Sequence, residues 1–128
     1  MVMRKILLFS ALLFSTIVYA QTTISNGDWA TPSIWNTGQV PGNSDNVVIA
    51  HSVDIDNART CANLTINSGA RLDVDGALTV TGTLTNNGTF NVRNADLSHS
   101  GADFTNTGDV VVSAGYDIIM SNGSATLT

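Results

Sequence analysis

The sequence predicts an all-β fold: a single-stranded parallel β-helix with about 20 residues per coil and a Trp-containing cap at its N-terminal end. Three observations carry that expectation. From Val47 onward, short apolar, polar, apolar triplets alternate with turns rich in Gly, Asn and Asp, which is the period-two pattern of strands. The triplets also fall into columns. One begins at Val47, Leu64, Leu84 and Phe104, in steps of 17, 20 and 20 residues; a second begins at Val53, Leu72, Phe90 and Val110, in steps of 19, 18 and 20. Finally, the charged residues after position 20 are ten Asp and three Arg with no Glu and no Lys, and Asp suits turns where Glu suits helices.

Residues 1–20 read as a secretory signal. Arg4 and Lys5 supply the positive start, Ile6 to Tyr19 the apolar stretch, and Val18-Tyr19-Ala20 the small-residue cleavage pattern, with Gln21 as the first mature residue. The apolar stretch is shorter than the roughly 20 residues a spanning helix needs, so no membrane span is expected after cleavage. The chain is expected to be exported to the periplasm, the cell surface or the extracellular space. Three Arg against ten Asp leave the mature chain at a net charge of −7, which repels nucleic acid and anionic lipid.

Residues 21–45, "QTTISNGDWATPSIWNTGQVPGNSD", depart from the repeat and hold both tryptophans and both prolines. The first coil of a solenoid has an apolar end to cover, and Trp29 and Trp35 are large enough to cover it. The alternative is an aromatic pair that stacks on sugar rings.

Residues 46–128 form the coils. The first and third residues of each triplet point inward and stack on their equivalents about 4.8 Å above and below. The middle residues face solvent, and there the sequence places Thr65, Asp73, Thr79, Thr85, Asn91 and Thr105. A third, looser column contains Leu78, Leu97 and Ile118. Gly69, Gly76, Gly82, Gly88, Gly101, Gly108, Gly115 and Gly123 fall at corners, where positive φ suits a residue without Cβ. Cys61, the single cysteine, reads as a buried packing residue. An antiparallel sandwich also uses short, evenly spaced strands, but it gives no reason for a register that matches residue type. The uneven step of 17 to 20 residues favours a right-handed coil over a left-handed one built on six-residue units.

"LTNNGTFNV" at 84–92 and "FTNTGDVVV" at 104–112 are nearly one sentence written twice. Their shared Asn86 and Asn106 occupy the inward third position, where Ile66 sits one coil earlier. An inward amide needs partners, and stacked amides can satisfy each other as a ladder. Gly88 and Gly108 are expected to turn the same corner.

No residue set reads as catalytic. His51 and His99 lie in different columns without a nucleophile motif and read as lone solvated histidines, and the three Arg look scattered. One constellation suits a metal: Asp54-Ile55-Asp56 and Asp73-Val74-Asp75 lie 19 residues apart, one coil, so Asp54, Asp56, Asp73 and Asp75 would share a small outer patch that Ca²⁺ could bridge. The four read first as a solvated acidic stripe with no cofactor, and Ca²⁺ is the alternative, since the repeat lacks the G-G-x-G-x-D nonapeptide of calcium-dependent β-rolls.

The run Asn26-Gly27-Asp28-Trp29, Pro32, Ile34-Trp35, Gly38, Val40-Pro41, Asp45 and Val47-Val48-Ile49 resembles the N-terminal region of secreted surface proteins from bacteria that use type IX secretion. Those follow a signal peptide with a pattern close to "G-x-W-x-x-x-x-x-W-x-x-G-x-x-P-x-x-x-D-x-V-x-I" and then β-helix coils. The run is also similar to the start of the eight-glycine domain of some animal surface proteins linked to hyaluronan. The resemblance implies an exported, adhesin-like or matrix-type β-helix that is usually longer. This chain stops at "SNGSATLT", in mid-coil, and so reads as truncated, with an open last coil that invites self-association. The expected function is a noncatalytic structural or adhesive module whose partner is an extracellular glycan or another surface protein. The alternative is the N-terminal part of a carbohydrate-active β-helix enzyme, a polysaccharide lyase or glycosidase, with its active site beyond Thr128.

Overall fold

A three-residue strand with two inward apolar side chains cannot bury them alone, nor pair its backbone within its own coil. The chain resolves both problems by winding. The computed structural model describes residues 19–101, 103–121 and 124–127, so most of the signal segment and Gly123 lie outside the described residues. It is an all-β solenoid of about four turns, each about 20 residues, whose paired strands are all parallel.

Three sheets form its sides. The first contains Gln21–Thr22, Val47–Ile49, Leu64–Ile66, Leu84–Asn86, Asp103–Asn106 and Ser124–Leu127 in spatial order. The second contains Gly27–Asp28, Ser52–Ile55, Arg71–Val74, Thr89–Val92 and Asp109–Val112, and the third Arg59–Cys61, Leu78–Val80, Leu97–His99 and Ile118–Met120. Both sequence columns are observed registers: Val47, Leu64, Leu84 and Phe104 align in the first sheet, and Val53, Leu72, Phe90 and Val110 in the second.

Two features depart from the sequence reading. The cap segment joins the stack, since Gln21–Thr22 pairs with Val47–Val48 and Gly27–Asp28 with Val53–Asp54. The third column begins one coil earlier than its apolar pattern suggested, because Arg59-Thr60-Cys61 is a strand that opens on a charged residue. Its inward Cys61 is fully buried, and that burial pushes the thiol up to about 12.

The ladder continues through the corners. Asn67 N–H donates to Ile49 O at 2.9 Å, Asn87 to Ile66 at 2.8 Å and Thr107 to Asn86 at 2.9 Å, so turn residues also pair with the coil below. Inside, Ile49, Ile55, Leu64, Ile66, Leu72, Leu78, Leu84, Phe90 and Leu97 are wholly buried. At one end Trp29 and Trp35 are 0% and 1% exposed, with centroids 5.1 Å apart and planes at 67°. An edge-to-face pair of this kind adds about 0.5–1.5 kcal/mol beyond its area burial. Trp35 Nε1–H donates to Trp29 O at 2.9 Å across a short 3-10 turn, Pro32–Ile34, where proline costs no backbone donor. At the other end Val111, Val112 and Ile119 are exposed.

Five of the corner glycines serve a purpose other than the expected one. Of the predicted set, only Gly69 and Gly115 show positive φ among the described residues, 81° and 90°. Gly76, Gly82, Gly88, Gly101 and Gly108 instead stand where the backbone of the neighbouring coil passes too close for a side chain. A Cβ on Gly101 would lie 1.5 Å from Gly82 O, and one on Gly108 2.0 Å from Gly88 O. Coils about 4.8 Å apart leave no room for Cβ when a corner turns its side-chain direction along the stack.

Replacing Gly108 with Ala is therefore expected to lower the unfolding free energy in urea by about 2–3 kcal/mol or prevent folding. Gly42→Ala, whose new carbon would meet only Asp45 Oδ2 at 3.6 Å, is expected to stay within about 0.5 kcal/mol of wild type.

Candidate functional site

The second sheet carries the acidic patch. Register places Asp28, Asp54, Asp73, Asn91 and Val111 in one outward column. Asp73, expected to face solvent, is only 4% exposed because two arginines and an asparagine close over it. Arg71, two residues earlier on the same strand face, donates to Asp73 through Nε at 2.9 Å and through Nη2, and Asn91 Nδ2 donates from the next coil at 2.6 Å. Arg93 grips Asp75 through Nε at 3.1 Å and through Nη2, while Asn94 Nδ2 adds a bond to Asp75 at 2.8 Å. Arg93 also lies 3.4 Å from Asp73 and 3.8 Å from Asp54.

Two of the three arginines thus converge rather than scatter. The signal was present in the spacing: Arg71 precedes Asp73 by two, hence the same face, and Arg93 follows Val92 just as Asp75 follows Val74 one coil below. Hydrogen bonds to Asp73 hold Arg71 above its ordinary value, and those to Asp75 do the same for Arg93. Burial alone would raise Asp73, but the Arg71 and Asn91 bonds and both guanidinium charges outweigh it and hold the carboxyl below the usual range. Asp54 is pushed upward, first by desolvation and then by the Asp73 carboxylate beside it.

This donor set suits guanidinium better than calcium. Both oxygens of Asp73 and of Asp75 already accept hydrogen bonds from arginine, so a Ca²⁺ ion at this patch would compete with the guanidinium groups for them. Asp56 is exposed and reaches the cluster only through its charge on Asp54.

His99 corrects a second expectation. It is 0% exposed, at the inward third position between Val80 and Met120. Its Nε2–H donates to Gly82 O at 2.8 Å, and its buried Nδ1 has no hydrogen-bond partner. The triplet Leu97-Ser98-His99 already implied this, since the third residue of every triplet points inward. His51 is half-buried, its ring bonded to the Thr23 carbonyl at 3.0 Å.

The repeated "TN" stretches form the expected amide pair. Asn86 is 0% exposed and donates through Nδ2 to Asn106 Oδ1 at 2.6 Å and to Asp109 O at 2.9 Å. Its Oδ1 accepts from Gly88 N–H at 3.2 Å, and Asn106 Nδ2 donates to Gly108 O at 2.9 Å. Both amides thereby also fasten the glycine corner. The tryptophans, by contrast, offer no sugar-stacking face, because both rings are enclosed in the cap.

No family model matches the chain, and no curated protein or solved structure matches it either. No helix among the described residues is long and apolar enough to cross a membrane.

A double-mutant cycle on Asn86→Ala and Asn106→Ala is expected to return a coupling energy of about 1 kcal/mol or more in urea unfolding, since each single change strands the other amide in the core. Additive effects would mean that the two side chains do not meet.

Proposed function

We propose that this chain is a noncatalytic structural or adhesive module of an exported protein, a rigid β-helical rod that forms the N-terminal part of a longer cell-surface protein. The observation that carries this reading is how the chemically capable side chains are used. On the second sheet Arg71 pairs with the buried Asp73 of its own strand and Arg93 with Asp75 one coil below, and the inward asparagines pair across coils. Such groups brace a scaffold. The signal-like segment at residues 1–20 supports export, and the similarity of residues 26–49 to type IX-secreted surface proteins supports an adhesin-like role with a glycan or another surface protein as partner.

Expression of the full chain in a Gram-negative host, with fractionation and N-terminal sequencing, is expected to give an exported product that starts at Gln21. Applied to glycan arrays and insoluble polysaccharides, that product is expected to bind without releasing reducing ends or unsaturated sugars. Reproducible cleavage of a polysaccharide would overturn the noncatalytic reading, and retention of residues 1–20 in the cytoplasm would overturn export.

A further inference from the structure

The Arg93 side chain reaches further than a surface ion pair needs to. It leaves the backbone just past Thr89–Val92, contacts Asp75 and Asp73 from the coil below, and lies within ion-pair distance of Asp54 from the coil below that. Asp54 and Asp73 are direct register partners, so two carboxylates stack at the strand spacing of about 4.8 Å. Like charges this close oppose stacking unless a cation stands between them. We propose that Arg93 is a built-in counter-ion that clasps three consecutive coils, so that cohesion of this face needs no added cation and is released by acid.

The groups that face the clasp come from each coil it touches. Asp28, Asp54 and Asp56 lie on the lower side; Arg71, Asp73 and Asp75 belong to the middle coil; Asn91 and Asn94 belong to Arg93's own. Guanidinium suits this place because its planar fork serves one carboxylate with two parallel bonds while its remaining edge faces others. The titrations have opposite signs. Asp54 lies above its ordinary value, so as pH falls it takes up its proton early, and stability holds or rises because a like charge beside Asp73 is lost. Asp73 lies below its ordinary value, so its contribution is full above the usual carboxylate range and is lost as pH falls beneath that range.

Thermal unfolding of the full chain from pH 7 to pH 2, with and without CaCl₂, tests the clasp. Wild type is expected to show a melting temperature that is flat or slightly rising into the carboxylate range and then drops, with no change on adding CaCl₂. Arg93→Gln is expected to melt about 5 °C lower at pH 7 and to show a smaller acid drop, because the carboxylates it leaves have less to lose. Arg93→Lys keeps the charge but not the fork and is expected to fall between the two with the acid drop retained; it decides the matter if Arg93→Gln does not fold. A wild-type melting temperature for both variants at pH 7 would overturn the proposal, as would a wild-type protein whose melting temperature rises with CaCl₂.

Discussion

Hydrogen bonding between coils is the constraint from which the rest of this molecule follows. A strand of three or four residues has too few backbone groups to hold itself, and here each finds its partners in an adjacent turn of chain, on both sides within the stack and on one side at its ends. Because the pairing is parallel and in register, any side chain introduced at one level meets its equivalent on the next. Apolar residues then stack as continuous ridges, and any mismatch in size or polarity is felt by its neighbours in the column. The spacing also dictates the corners, where Gly82 with Gly101 and Gly88 with Gly108 allow backbones to approach more closely than a methyl group permits.

The same stacking turns polar residues into structural parts. A lone inward Asn in an apolar core would strand two donors and an acceptor, but a second Asn one coil away and the adjacent glycine corner satisfy them. A lone outward Asp is merely solvated, whereas a column of them repels and must be neutralised, here by Arg71 and Arg93. His99 and Trp29 are exceptions among the described residues: one His99 ring nitrogen is bonded to a corner carbonyl while the other, like Trp29 Nε1, is buried without a partner.

Much of this was legible in the sequence because repetition exposes register. Aligning Leu64, Leu84 and Phe104 was enough to place the first sheet, and with it the amide pair of Asn86 and Asn106. What escaped were residues whose type disguises their place. Arg59 and His99 occupy triplet positions where an apolar residue was expected, and Gln21 and Gly27 join the stack from a segment of unlike composition. Arg71 and Arg93 escaped because they flank the triplets, and a flanking residue acquires a face only once its neighbours in register are counted. The role of glycines such as Gly101 and Gly108 could not come from local preference, since the obstruction lies in a segment about 20 residues away.

Neighbouring strands in space are one coil apart in sequence, and through-hydrogen-bond scalar couplings measure that directly. The parallel stack predicts a coupling from the Leu64 amide nitrogen to the Thr83 carbonyl carbon and from the Asn87 amide nitrogen to the Ile66 carbonyl carbon. Couplings that instead join consecutive strands, such as Leu84–Asn86 with Thr89–Val92, would indicate an antiparallel meander and rule out the parallel stack.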